Sequence, residues 1–176
     1  MSKGWIILAL VACASSRAEV VDGMVASVET AAIKHSDVMR EITMTALMNR
    51  ETPNFGVASQ KEAVNRLVDQ ALIRTEIDAG AYVADDPHAA DGLLRQIRAS
   101  YGGTAAFARA LASNGITEEA LRKHLRWQAT VLRFVQLRFG GGPTGASPEM
   151  VNEAFFAWLD QMRKERRVEI REARLK

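Results

Sequence analysis

The sequence predicts a mainly α-helical, multi-helix domain that carries a small antiparallel sheet, and three observations lead there. Val20 to Val28 is rich in β-branched residues, with Met24, Ala26 and Val28 on one face at period two. Most of the chain beyond Val28 repeats apolar residues at helical spacing between recognisable caps and breakers. Near the other end, Val168 and Ile170 alternate with Glu169 and Arg171, as a half-buried strand does.

The elements come in order along the chain. Glu29-Thr30 breaks the first run, and Ala31–Lys34 returns as a second strand. Ser36-Asp37 supplies an N-cap and a first-turn acid for a helix whose Val38, Ile42 and Ala46 share a face. Pro53-Asn54 and Gly56 make Glu51–Ala58 a loop. Ser59 and Glu62 form a capping box opening a helix to about Ala79, with Val64, Leu67, Val68, Ala71 and Leu72 inward and Gly80 as its stop. Asp86-Pro87 starts a helix over Pro87–Ser100, interrupted by Tyr101-Gly102-Gly103. Thr104 caps a short helix through Ser113, which Asn114-Gly115 ends. Thr117 caps the longest expected helix, Glu118 to about Phe139. Residues 140–147, GGGPTGAS, read as a flexible linker. Ser147-Pro148 restarts a helix, Glu149 to about Lys164, with Val151, Phe155, Trp158, Leu159 and Met162 on one face. Arg167–Leu175 then closes as a strand.

Residues 1–18 read as a secretion signal. Lys3 is the positive n-region, Trp5–Ala12 is an apolar run, and Ser16-Arg17-Ala18 places small residues at the positions a signal peptidase reads. The run is far short of the roughly 20 residues of a spanning helix, so no transmembrane segment is expected in the mature chain. Cleavage after Ala18 implies a periplasmic protein. Leu10-Val11-Ala12-Cys13 also matches a lipobox, and the alternative is a lipid anchor through Cys13. Cys13 is the single cysteine, so the folded part must rely on its core for stability. Loss of Lys3 and Arg17 with the leader brings 23 basic residues down to 21, against 21 acidic. A near-neutral exported chain is a poor nucleic-acid binder, although Ala120–Pro148 holds five Lys/Arg and no acid.

The strand, hairpin and capped helix of residues 19–50 resemble the opening of the N-terminal domain of the SurA family of secreted chaperones. The turn departs from the family's Asn-rich form, since Glu29-Thr30-Ala31 is a poor tight-hairpin sequence. AVNRLVDQALIRTEIDAG resembles the family's second helix, and Gly115 to Arg122, running on to Leu137-Arg138-Phe139, resembles its long fourth or fifth helix. The resemblance covers most of residues 19–139 and implies that the segment 148–176 completes the same domain, its strand returning to the N-terminal hairpin. In relatives, one or two parvulin-type prolyl isomerase domains sit where residues 140–147 lie here. Eight residues hold no such domain, so the resemblance implies a chaperone core without the enzyme.

Other chemistry is not signalled. His35, His88 and His124 are scattered, GGGPTG lacks the Lys-Ser/Thr of a phosphate loop, and Asp85-Asp86 reads as a helix cap. No catalytic residue, metal or cofactor is expected. On the long helix, Leu121, Leu125, Leu132, Val135 and Phe139 form one stripe, and Trp127, Val131 and Phe134 form a second beside it. On the first helix, Met44 and Met48 lie off the inner face. Either these second faces are core, or Trp127, Val131, Phe134, Met44 and Met48 line an apolar groove for unfolded polypeptide. The expected function is ATP-independent binding of unfolded or nascent exported proteins, of outer-membrane type by the resemblance. The alternative is an adaptor that docks one folded partner, and homodimerisation is a further option.

Overall fold

Met24–Val28 (β1) and Ala31–Lys34 (β2) form an antiparallel hairpin in the computed structural model of the chain, which describes residues 22–80, 86–141 and 145–175. The expected leader cleavage site, Cys13, the first residues of the expected first strand (Val20 and Val21) and Asp85 lie outside the described residues. Six α-helices follow among those residues: α1 (His35–Asn49), α2 (Val57–Gly80), α3 (Asp91–Ser100), α4 (Thr104–Ser113), α5 (Glu118–Phe139) and α6 (Pro148–Glu165). A last strand, β3 (Val168–Ile170), pairs antiparallel with β1, giving the order β2–β1–β3. The protein is mainly α with a small antiparallel sheet built from the hairpin and the C-terminal strand, as the apolar pattern together with the resemblance leads one to expect.

The sheet departs from simple alternation. The pairing register shifts between Met24 and Ala26, and Val25 and Ala26 are both buried along with Val28. An irregularity of this kind re-aims a side chain, which is why Met24 does not share the buried face expected of it. On β3, Val168 is half-buried whereas Ile170 is exposed. A short turn of 3-10 helix at Glu172–Arg174 then carries Leu175 into the core.

Helix starts follow local hydrogen bonding. Asp37 accepts the Lys34 amide at 3.0 Å, while Ser36 is not the cap: its amide and hydroxyl both donate to Asp22, at 3.0 and 2.6 Å. Those two bonds hold the Asp22 carboxyl below its ordinary range. Helix α2 begins at Val57 rather than Ser59, because Asn54 Oδ1 takes the Gly56 amide and Gln60 Nε2 reaches back to the Phe55 carbonyl. At 24 residues it exceeds the 22 of α5, which was expected to be the longest. Pro87–Ala90 is a turn, with Asp86 accepting the His88 amide, so α3 starts only at Asp91. Gly103, at φ 112°, occupies the cap position of α4, and Thr104 is already helical. Thr117 and Ser147 do cap α5 and α6, each side chain accepting an amide three residues on.

Three apolar clusters make up the core. The first joins the sheet to the N-terminal halves of α1 and α2 through Val28, Ile33, Val38, Ile42, Val64 and Val68. A second holds Met44 and Leu47 of α1 with Leu94, Phe107, Leu121 and Leu125. The third packs Ile73 and Ile77 of α2 against Phe134 of α5 and Trp158 and Leu159 of α6. Helices α1, α2 and α5 each serve two clusters, so they tie the three together. Each large side chain fully buried here contributes about 1.5–3 kcal/mol. No helix among the described residues is long and apolar enough to cross a membrane.

Candidate functional site

Helix α5 changes its buried face along its length. In its N-terminal half Leu121 and Leu125 face the second cluster, and in its C-terminal half Phe134 faces the third. Positions 125 and 134 are nine residues apart, which at about 3.6 residues per turn puts them on opposite sides of the helix. The stripe begun by Leu121 and Leu125 therefore runs out into solvent at Leu132. The neighbouring stripe, which sequence reading offered for clients, is the one covered.

Phe134 is fully buried, with its ring centroid 5.6 Å from Trp158 and 6.2 Å from Phe139. Trp127 and Val131 are half-buried against the same cluster. The Arg74 guanidinium lies 4.0 Å above the Trp127 ring, and the indole Nε1 is buried with no hydrogen-bond partner among the described residues. Met44 is buried in the second cluster and Met48 half-buried beside it. The five residues thus separate into two clusters and do not meet across a groove. Phe134 and Met44 are core side chains, because α6 and α2 cover the one and α3 to α5 surround the other.

The most exposed large apolar side chains lie elsewhere, on α5 and α6, while Phe55, Val57 and Ile170 are exposed to a lesser degree outside that region. Leu132 and Leu137 of α5 and Met150 and Phe156 of α6 are 63%, 60%, 62% and 61% exposed. All four fall in the α5–α6 hairpin, whose halves are joined by Phe139–Phe155 and Phe134–Trp158 ring contacts. Within the 140–147 connection the Ala146 amide donates to the Gly140 carbonyl at 3.0 Å, and residues 142–144 lie outside the described residues. The hairpin is fixed to α2 by Arg138 paired with Glu76 and by Arg163 with Asp69, the latter at 2.7 Å. Burial pushes the Asp69 carboxyl up, and Arg163 only partly offsets that. Arg133 on α5 and Glu153 and Asp160 on α6 are exposed and make no ion pair among the described residues. The four side chains do not share one face: Leu132 and Met150 lie on the side turned away from α2 and Leu137 and Phe156 on its flanks, with charged residues between them.

Sequence reading placed Leu132 in the core stripe and did not single out Leu137, Met150 or Phe156. The signal for Phe156 was available: it lies on a stripe with Glu149, Glu153 and Asp160, opposite Trp158.

A buried polar cluster sits where α1, α2 and α5 converge. Glu41, itself buried, accepts from Arg66 Nε at 3.2 Å. Gln128 Nε2 lies 3.1 Å from His124 Nε2. Burial pushes the His124 pKa down, and the nearby Glu41 charge opposes this without overcoming it. At the head of α3, Asp91 accepts from His88 and from Arg122, and its carboxyl is held low mainly by the His88 bond. Arg98 clamps both oxygens of Glu118 at 3.0 Å, fixing α3 to α5.

A cavity of about 70 Å³ lies between α2 and the C-terminal segment, lined by Val64, Ile170 and Leu175 with Lys61 and Glu172 bridged beside it. Ligand pockets usually run to about 300–1,000 Å³, so this one is too small for a cofactor. Among the described residues no group of three or more His, Cys, Asp or Glu is placed to hold a metal ion. No protein-family model matches the chain, and no curated protein matches it.

Proposed function

We propose that the protein is an exported, ATP-independent chaperone of the SurA N-terminal type, which holds unfolded or nascent polypeptides in the periplasm. The observation that carries this reading is the concentration of four large uncovered apolar side chains, Leu132, Leu137, Met150 and Phe156, on one helical hairpin. Such a surface takes up apolar segments of an unfolded chain reversibly, with no covalent step. The signal-like residues 1–18 add the export route, and the sequence resemblance adds, for clients, the outer-membrane class. The binding surface is the outside of the α5–α6 hairpin, in place of the groove between α1 and α5 that the sequence suggested.

An aggregation-suppression assay with several unrelated unfolded clients tests it. A chaperone suppresses aggregation of all of them, and Leu137→Ser with Phe156→Ser weakens the effect while the melting temperature holds. Binding of a single folded partner, with no suppression of any unfolded client, would establish the adaptor reading instead. The proposal also carries no isomerase activity. Uncatalysed prolyl exchange takes tens of seconds, so a rate enhancement that survives repurification would overturn that part.

A further inference from the structure

The same hairpin has a second property, which concerns charge. Helix α5 is basic on its flank away from α6, where Arg126 and Arg133 stand seven residues apart on one stripe. The flank of α6 away from α5 is net acidic, with Glu149, Glu153 and Asp160 on one stripe and Lys164 at its end. Arg133, Glu153 and Asp160 are exposed, and none makes an ion pair among the described residues. Between the two flanks, the side turned away from α2 carries exposed Leu132 and Met150 with the small Ala154 and Ala157. One rim positive, the other negative and an apolar strip between them is a self-complementary surface.

We infer that a second copy of this chain docks here, two hairpins packing face to face about a two-fold axis parallel to the helices. That operation lays α5 of one copy antiparallel to α6 of the other and keeps every residue at its own height. The heights are set inside the hairpin, where Phe139 meets Phe155 and Phe134 meets Trp158. Those contacts put Arg133 level with Asp160, so each Arg133 meets Asp160 of the other copy, twice in the dimer. A two-fold axis turned across the helices would set α5 on α5 and bring the arginines together, which the charge pattern disfavours. Leu132 and Met150 are covered in this dimer. Leu137 and Phe156 stay on its flanks, so the inference goes beyond the client-binding reading and does not depend on it.

The test is sedimentation of the protein without any client, alone and as two charge reversals, Arg133→Glu and Asp160→Arg. Both positions are exposed, and circular dichroism checks that each variant keeps its fold. Wild type is expected to sediment as a dimer at tens of micromolar, and each reversal alone as a monomer. Mixing the two variants restores the dimer. The introduced glutamate of one copy then faces the introduced arginine of the other, and the native Arg133–Asp160 pair forms on the opposite side of the axis. A monomeric wild type, a dimer indifferent to both reversals, or variants that fail to pair on mixing would each overturn the inference. Client binding is read separately, so its failure and this one are distinguishable.

Discussion

The Glu29 amide donates to the Arg167 carbonyl at 2.8 Å, so the last strand closes over the first turn. Arg166 lies 3.7 Å from the Glu29 carboxylate, and Arg171 donates to Val25 at the other end of the pairing. Glu29 itself sits at φ 52°, a left-handed conformation that favours glycine. A turn the local sequence disfavours is thus held by residues from the far end of the chain.

Two changes separate those contributions. Glu29→Gly removes the left-handed penalty and should stabilise the protein by about 0.5–1 kcal/mol, or roughly 2–4 °C in melting temperature per kcal/mol. Deleting Arg167–Lys176 exposes the edge of β1 and removes Leu175 from the core, so the melting temperature should fall by more than any single-residue change lowers it. Thermal melts read both, and an unchanged truncation would show that the closing strand contributes nothing.

The face change of α5 predicts opposite outcomes two residues apart. Phe134→Ala opens a cavity among Ile73, Ile77 and Trp158 and should cost about 3–5 kcal/mol. In dilute, monomeric protein Leu132→Ser should stay within about 0.5 kcal/mol of wild type. Urea titration of both variants checks this, and equal destabilisation would contradict the assignment of faces.

His124 gives a pH dependence of stated sign. Its folded pKa is held below the ordinary 6.5 by burial, so the fold favours the neutral ring. The unfolded chain binds the proton more readily, and stability rises with pH wherever that holds. The contribution is therefore fully present above 6.5 and is lost as pH falls through that value toward the lower folded one. His124→Gln should flatten the slope of stability between about pH 7 and 5. Asp22 acts in a separate window: its carboxyl is held below 3.8 by Ser36, so its share is lost only in stronger acid. Unfolding midpoints measured across the range distinguish the two.

Glu41 offers a test of the polar cluster. Glu41→Leu removes the buried carboxylate and its bond to Arg66, whose side chain is partly exposed and can turn to water. The usual penalty for removing one partner of a buried pair comes from the charge left behind in the interior, and the Arg66 guanidinium is not left there, so little stability should be lost. His124, no longer near a negative charge, should titrate lower still, which NMR of the imidazole protons reads directly.

Features fixed by a few neighbouring residues were legible in the sequence. Thr117 and Ser147 are caps because a hydroxyl three residues before an amide needs nothing else, and both helices begin where those residues stand. The return of the closing strand to the N-terminal hairpin was legible too, since alternation and the resemblance agreed, but which strand of the hairpin it joins was left open between Val20–Val28 and Ala31–Lys34. What failed depended on long-range contacts or on competition between local ones. Ser36 reads as a cap, yet Asp22 engages its amide and hydroxyl from fourteen residues away. Both stripes of α5 are apolar, and nothing in their spacing says that α3 and α4 cover one end while α2 and α6 cover the other. The client site suffered most from this, because an exposed leucine and a buried one give the same periodicity.

The β1–β3 pairing also has a kinetic consequence. Helices assemble from contacts close in sequence, whereas Ala26 cannot find Ile170 until everything between them has been placed. The β1–β3 pairing, unlike the local β1–β2 hairpin, is then expected to act as a latch that shuts late. Weakening the latch, for instance with Val168→Ala, should leave the folding rate nearly unchanged and speed unfolding instead. For a chain synthesised from its amino end, that order leaves the edge of β1 open until Val168–Ile170 has been made.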